Sequence, residues 1–109
     1  MGRRAELLQG TLDLLILKTL ASIPLHGVGI ADRICAATGG VFEIGAGSLF
    51  PALHRLEDKG WLEGEWGETE AGRRARFYKM TAAGRRQLSA ETRAWRRITG
   101  AVESVLSSE

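Results

Sequence analysis

A single cysteine, Cys35, and two histidines, His26 and His54, are all that 109 residues offer toward thiol or imidazole chemistry. An intrachain disulfide is excluded, no metal-ligand spacing exists, and packing alone must hold the fold. Apolar runs are equally short, the four residues from Leu14 to Leu17 being typical, whereas a membrane helix needs about 20. The charged stretch from Met1 to Glu6 is followed by leucines that Asp13 and Lys18 interrupt, so it does not read as a secretory signal, and the cytoplasm is the expected compartment. The length suits one domain and leaves no room for a second, catalytic one.

Catalytic patterns are missing too. Gly27-Val28-Gly29 continues to Asp32 where a dinucleotide loop would need a third glycine, and no Gly-Lys-Ser/Thr occurs. Ser48 lacks the flanking glycines of a nucleophile elbow. Cys35 reads as a small core residue and His54 as a surface contact. The chain is expected to be no enzyme and to carry no cofactor or metal.

What is present is charge, unevenly placed. Residues 1–70 carry 6 basic and 10 acidic side chains, residues 71–97 carry 9 basic ones and Glu91 alone, and residues 98–109 carry 2 acids, giving −4, +8 and −2 within a total of +2. A basic block of this density points to an anionic partner, nucleic acid above all. The plainer alternative is a solvated charged helix.

The pattern along the chain predicts mostly helix with a small β-hairpin. Leucines and isoleucine at 8, 12, 15 and 16 and again at 7, 14, 17 and 20 predict a first helix over roughly 11–22, capped by Thr11 and stopped before Pro24. It is apolar on more than one face, so Leu14 and Leu17 are expected to meet a second copy of the chain. Ile30, Ile34 and Ala37 mark a short second helix ended by Gly39-Gly40, and Val41–Ile44 reads as a strand stub. Leu49, Leu53 and Leu56 form the buried stripe of a third helix over 48–59, with Ser48 as N-cap and Pro51 in its first turn. From Trp61 to Thr81 the period becomes two, which predicts a hairpin with a charged loop from Gly67 to Arg73. Trp61 and Trp66 are assigned to its packing. Thr81 then caps a final helix on which Leu88, Trp95, Ile98, Val102 and Val105 keep the spacing of a helix-pairing seam. Gly84 and Gly100 weaken that helix by roughly 1 kcal/mol each against alanine.

Helix, helix, strand stub, helix and hairpin is the order of a winged helix-turn-helix, whose third helix enters the DNA major groove. Residues 1–81 would form that domain, with 82–109 a C-terminal dimerisation helix packed on it. Ser48, Pro51, His54 and Arg55 then lie where base edges and phosphates are met, and Arg73, Arg74 and Arg76 sit on the wing.

The segments Leu8-Gln9-Gly10-Thr11-Leu12-Asp13, His26-Gly27-Val28-Gly29-Ile30, Gly47-Ser48-Leu49-Phe50-Pro51-Ala52-Leu53 and Tyr78-Lys79-Met80-Thr81-Ala82-Ala83-Gly84 together resemble the PadR family of bacterial transcriptional regulators. The resemblance runs in order over almost the whole chain. It implies a homodimeric repressor of a palindromic operator, with the last helix, aided by the first, making the dimer and with Ser48, Phe50 and Pro51 opening the DNA-reading helix. The family usually has tyrosine where this chain has Phe50, and an aromatic residue where it has Val28, so a hydroxyl able to reach phosphate is lost at each. Some relatives bind planar aromatic molecules at the dimer interface, which makes Trp95 the candidate effector contact; plain seam packing is the simpler reading. The rival function is a winged-helix protein-interaction module without DNA binding, which would not need three arginines on the wing. A small-molecule-binding domain without DNA affinity would require a wing unable to reach phosphate.

Overall fold

The computed structural model describes residues 9–109, Gln9 by its backbone only. Four helices and three short strands follow in the order α1 (Gln9–Thr19), β1 (Leu25–His26), α2 (Gly27–Ala37), α3 (Ala46–Asp58), β2 (Leu62–Glu68), β3 (Arg74–Met80) and α4 (Ala82–Ser107).

The first helix differs from its expectation in both bounds and burial. The chain is already helical at Gln9, so Thr11 lies inside the helix instead of capping it, and α1 ends at Thr19 with a turn over 20–22. Leu7 and Leu8 lie outside the described residues. Leu12, Ile16, Leu17 and Leu20 are all buried in the chain's own core. Leu17 is 0% exposed and so has no surface left for a partner, which removes it from the expected dimer contacts. Leu14 stays half-buried.

Ile30 and Ile34 of α2 are buried as the pattern requires, but Ala37 is exposed, because the last turn of the helix runs out past the core. Gly39 and Gly40 end it with positive φ angles, 59° and 84°. Val41–Ile44 forms no strand. The edge of β3 that could have accepted a third strand is taken by Leu25 and His26, which pair antiparallel with Tyr78 and Phe77 in a sheet of order β1-β3-β2. A β-branched segment without an open edge to pair with stays irregular. Phe42 and Ile44 instead pack their side chains, partly buried, on the core.

In α3 the cap is Gly45, three residues before the expected Ser48, and its carbonyl accepts from the amides of both Ser48 and Leu49. Pro51 therefore stands in the second helical turn, where its missing N–H leaves the carbonyl of Gly47 without its helical donor. Gly47 and Pro51 are both exposed, so this end of the helix lies open to solvent, where a missing helical donor costs little. Leu49, Ala52, Leu53 and Leu56 are buried.

The hairpin is regular. Leu62 pairs with Met80, Gly64 with Tyr78, Trp66 with Arg76 and Glu68 with Arg74, and only Thr69–Arg73 is left to turn, closed by bonds in both directions between Thr69 and Arg73. Alternation puts Leu62, Tyr78 and Met80 into the core at the hairpin base. At that base Thr81 caps α4: its hydroxyl accepts from the Gly84 amide at 3.0 Å and donates to the Gly60 carbonyl at 2.6 Å. α4 packs on α1 and β3 through its first half, with Leu88 against the core. Beyond it Trp95, Ile98, Val102 and Val105 stay 42–71% exposed in the single chain.

Candidate nucleic-acid interface

Helix α3 is held by its leucine stripe, and what remains of it faces out. Ser48, Phe50, Pro51 and His54 are all exposed. Phe50 rests its ring edge on Gly27 at the start of α2, where a Cβ would come within 2.8 Å of the ring and push it aside. Val28 beside it is 60% exposed. A hollow of about 380 Å³ opens between these residues and the wing, with Val28, Phe50, His54, Trp66, Arg76 and Tyr78 among its walls. The face of α3 and the wing thus border one concave surface.

Arg55 is different from its neighbours. It is half-buried, and its guanidinium donates to the carboxylate of Asp13 on α1 at 2.6 Å, a carboxylate only 8% exposed. The pair ties α3 to α1, and Nε of Arg55 is buried with no partner. Arg76 is likewise engaged. Its guanidinium donates to Glu57 of α3 at 2.5 Å, which holds it above its ordinary pKa. It lies across Gly64, where a Cβ would meet it at 2.5 Å, and between the rings of Trp66 and Tyr78 at 6.0 and 5.9 Å. Burial raises the pKa of the Tyr78 phenol, and the charge of Glu57 adds to the shift. These two arginines brace the reading helix, Arg55 from below and Arg76 from the wing.

Arg73 and Arg74 are exposed near the turn. Arg74 stacks over Trp66 with its guanidinium carbon 4.8 Å from the ring centre, an arrangement that preorganises a cation without neutralising it. Trp66, expected to pack within the hairpin, is instead 56% exposed. Its ring stands on the hairpin face that borders α3, beyond the reach of the core, and its work is to carry the arginines. The sequence signal for this was Trp66 lying an even number of residues from Leu62 on one strand, with Arg76 at the facing position of the other and Arg74 two residues from it.

Strand pairing also redistributes the charge. The hairpin carries Glu63, Glu65, Glu68 and Glu70 against Arg73, Arg74, Arg76 and Lys79, so its net charge is zero; Glu63 and Lys79 form an ion pair across the strands at 3.5 Å, whereas Arg76 is held by Glu57 of α3. Among the described residues no cluster of side chains could hold a metal ion, and no helix is long and apolar enough to cross a membrane.

Comparison with known proteins follows the same lines. The family model described as the transcriptional regulator PadR-like family matches residues 16–90. A transcriptional regulator of Mycobacterium tuberculosis is 33% identical over 89 residues, covering 82% of this chain and 79% of its own length. The crystal structure of a PadR-family transcriptional regulator from Eggerthella lenta superposes with a TM-score of 0.77 at 29% identity, over 93% of this chain and 86% of that one. A PadR-like regulator from Bacillus cereus gives a TM-score of 0.81 over 96% and 100% of the two chains, and at 24% identity it speaks for the fold alone.

Proposed function

The chain belongs to the PadR-like family of transcriptional regulators, and from that premise we propose that it is a homodimeric repressor acting on a palindromic operator in the cytoplasm. Helix α3 reads bases through Ser48, Phe50, Pro51 and His54, and the wing holds the flanking backbone through Arg73 and Arg74. The observation that carries this is the hollow bordered jointly by α3 and the wing, with Arg74 held over Trp66 at its rim. The dimer forms along the exposed stripe of α4, from Leu88 through Trp95, Ile98, Val102 and Val105, with Leu14 of α1 contributing. The domain then comprises residues 1–81, with 82–109 serving as the dimerisation helix. A small planar aromatic effector stacked on Trp95 relieves repression in the same reading.

Selecting genomic fragments on the purified protein, followed by sequencing, tests the reading directly. A recovered palindrome is expected; fragments without a shared sequence would overturn it. On the recovered site, His54→Ala is expected to change sequence preference, whereas Arg73→Ala with Arg74→Ala weakens binding to all sequences alike. The opposite pattern would mean that helix and wing have exchanged roles. Ile98→Glu buries a charge in the seam and is expected to halve the mass seen by light scattering, while an unchanged mass would refute the seam.

The neutral hairpin favours a second reading, a winged helix that docks a protein. Failure of the selection is the outcome that would bring it forward.

A further inference from the structure

With the hairpin neutral, the positive charge of this protein has to sit elsewhere, and it sits on α4. Arg85, Arg86, Arg93, Arg96 and Arg97 are all exposed, and no guanidinium among the five forms an ion pair or side-chain hydrogen bond within the described residues. At 100° per residue they fall within an arc of about 120°, which leaves the opposite side of the helix to Leu88, Trp95, Ile98 and Val102. The one acid in this half of α4, Glu91, lies on that opposite side and accepts from Gln87 at 2.9 Å.

Helix stability does not account for the arrangement. Arg85 and Arg86 stand near the start of α4, where the helix dipole disfavours cations, and the first turn carries no acid. Arg93 and Arg97 are one turn apart with the same charge, which also works against the helix. Cations held together against local repulsion stabilise the protein only when an anion of matching spacing arrives. From Arg85 to Arg97 the helix rises about 18 Å, a length over which one strand of B-DNA presents about five phosphates.

We propose that this stripe is a second, sequence-independent contact to the phosphate backbone of duplex DNA, separate from α3 and the wing and presented twice by the dimer. It rests on the DNA-binding reading above. It makes a large share of affinity depend on phosphates that α3 does not read, so the protein holds DNA of any sequence before and after it finds its operator.

The test is the salt dependence of binding to a duplex of random sequence about 40 base pairs long. Changing all five arginines to glutamine is expected to reduce the slope of log affinity against log salt by about 4.5 for each protomer whose stripe touches the duplex, about 9 when both do, at roughly 0.9 for each phosphate no longer neutralised, with operator preference unchanged. Circular dichroism checks the helix, and the pairs Arg86→Gln with Arg97→Gln and Arg93→Gln with Arg96→Gln should each remove a proportionate share if the fivefold variant folds poorly. Lys18→Gln with Arg33→Gln, two exposed cations away from the stripe, controls for net charge. A slope unchanged by the stripe variants, or lowered as much per charge by the control, overturns the proposal. In either case a recovered operator still leaves the reading by α3 standing, whereas loss of all duplex binding by the unaltered protein would remove both.

Discussion

Alanine at Gly84 is expected to destabilise this protein by about 3 kcal/mol, against the direction that helix propensity predicts. Alanine is the better helix former by roughly 1 kcal/mol, and Gly84 lies inside α4. A Cβ there, however, would press into the backbone carbonyl of Trp61 and come within 2.7 Å of Cγ of Met80. The carbonyl cannot step aside cheaply, because it accepts the Thr81 amide at 3.0 Å and so fixes the joint between hairpin and helix. Overpacking against such an obstacle costs about 1–3 kcal/mol or more. Gly100, with nothing within 4 Å of its missing Cβ, provides the contrast. Gly100→Ala should stabilise by about 1 kcal/mol. Denaturant midpoints of the two variants measured side by side should move in opposite directions, and a stabilised Gly84→Ala would refute the close approach of α4 to Trp61.

The second large effect concerns Asp13 and Arg55. Asp13→Ala leaves the Arg55 guanidinium half-buried with no carboxylate, and an orphaned charge of this kind costs about 3 kcal/mol. Arg55→Ala orphans Asp13 in turn, at 8% side-chain exposure. Replacing both, as Asp13→Leu with Arg55→Met, should recover most of the loss, because neither charge is then left alone. Chemical denaturation of the two single variants and the double completes the cycle; strictly additive losses would show that the pair is not coupled. Arg55→Lys in a binding assay separates the bracing role from base reading. Sequence preference should stay as it was, since the side chain points back to α1, and a changed preference would show that Arg55 leaves Asp13 to reach DNA.

The elements with a long repeating pattern were legible without any structure. The leucines of α1 and α3, the alternation of β2 and β3 and the capping threonine before α4 each follow from a local period or a local hydrogen bond. The exposed face of α3, Ser48 to His54, could be drawn for the same reason, since a stripe of leucines leaves only the other side. β1 could not be read because two residues show no period, and they become a strand only where β3 offers an edge. Val41–Ile44 carried the stronger β propensity and had no edge to meet.

Charge shows the same division. The sequence by itself determined that this chain is a small helical protein with a hairpin, that its one cysteine allows no intrachain disulfide, and that 9 of its 15 basic residues crowd into 71–97. It could not say which of those charges are free. Ion pairing depends on distances between residues such as 13 and 55 or 57 and 76 that no local pattern encodes. Only the tertiary structure decided that Arg55 and Arg76 brace the fold, that Glu63 holds Lys79 on the hairpin, and that Arg73, Arg74 and the five arginines of α4 keep no carboxylate partner among the described residues.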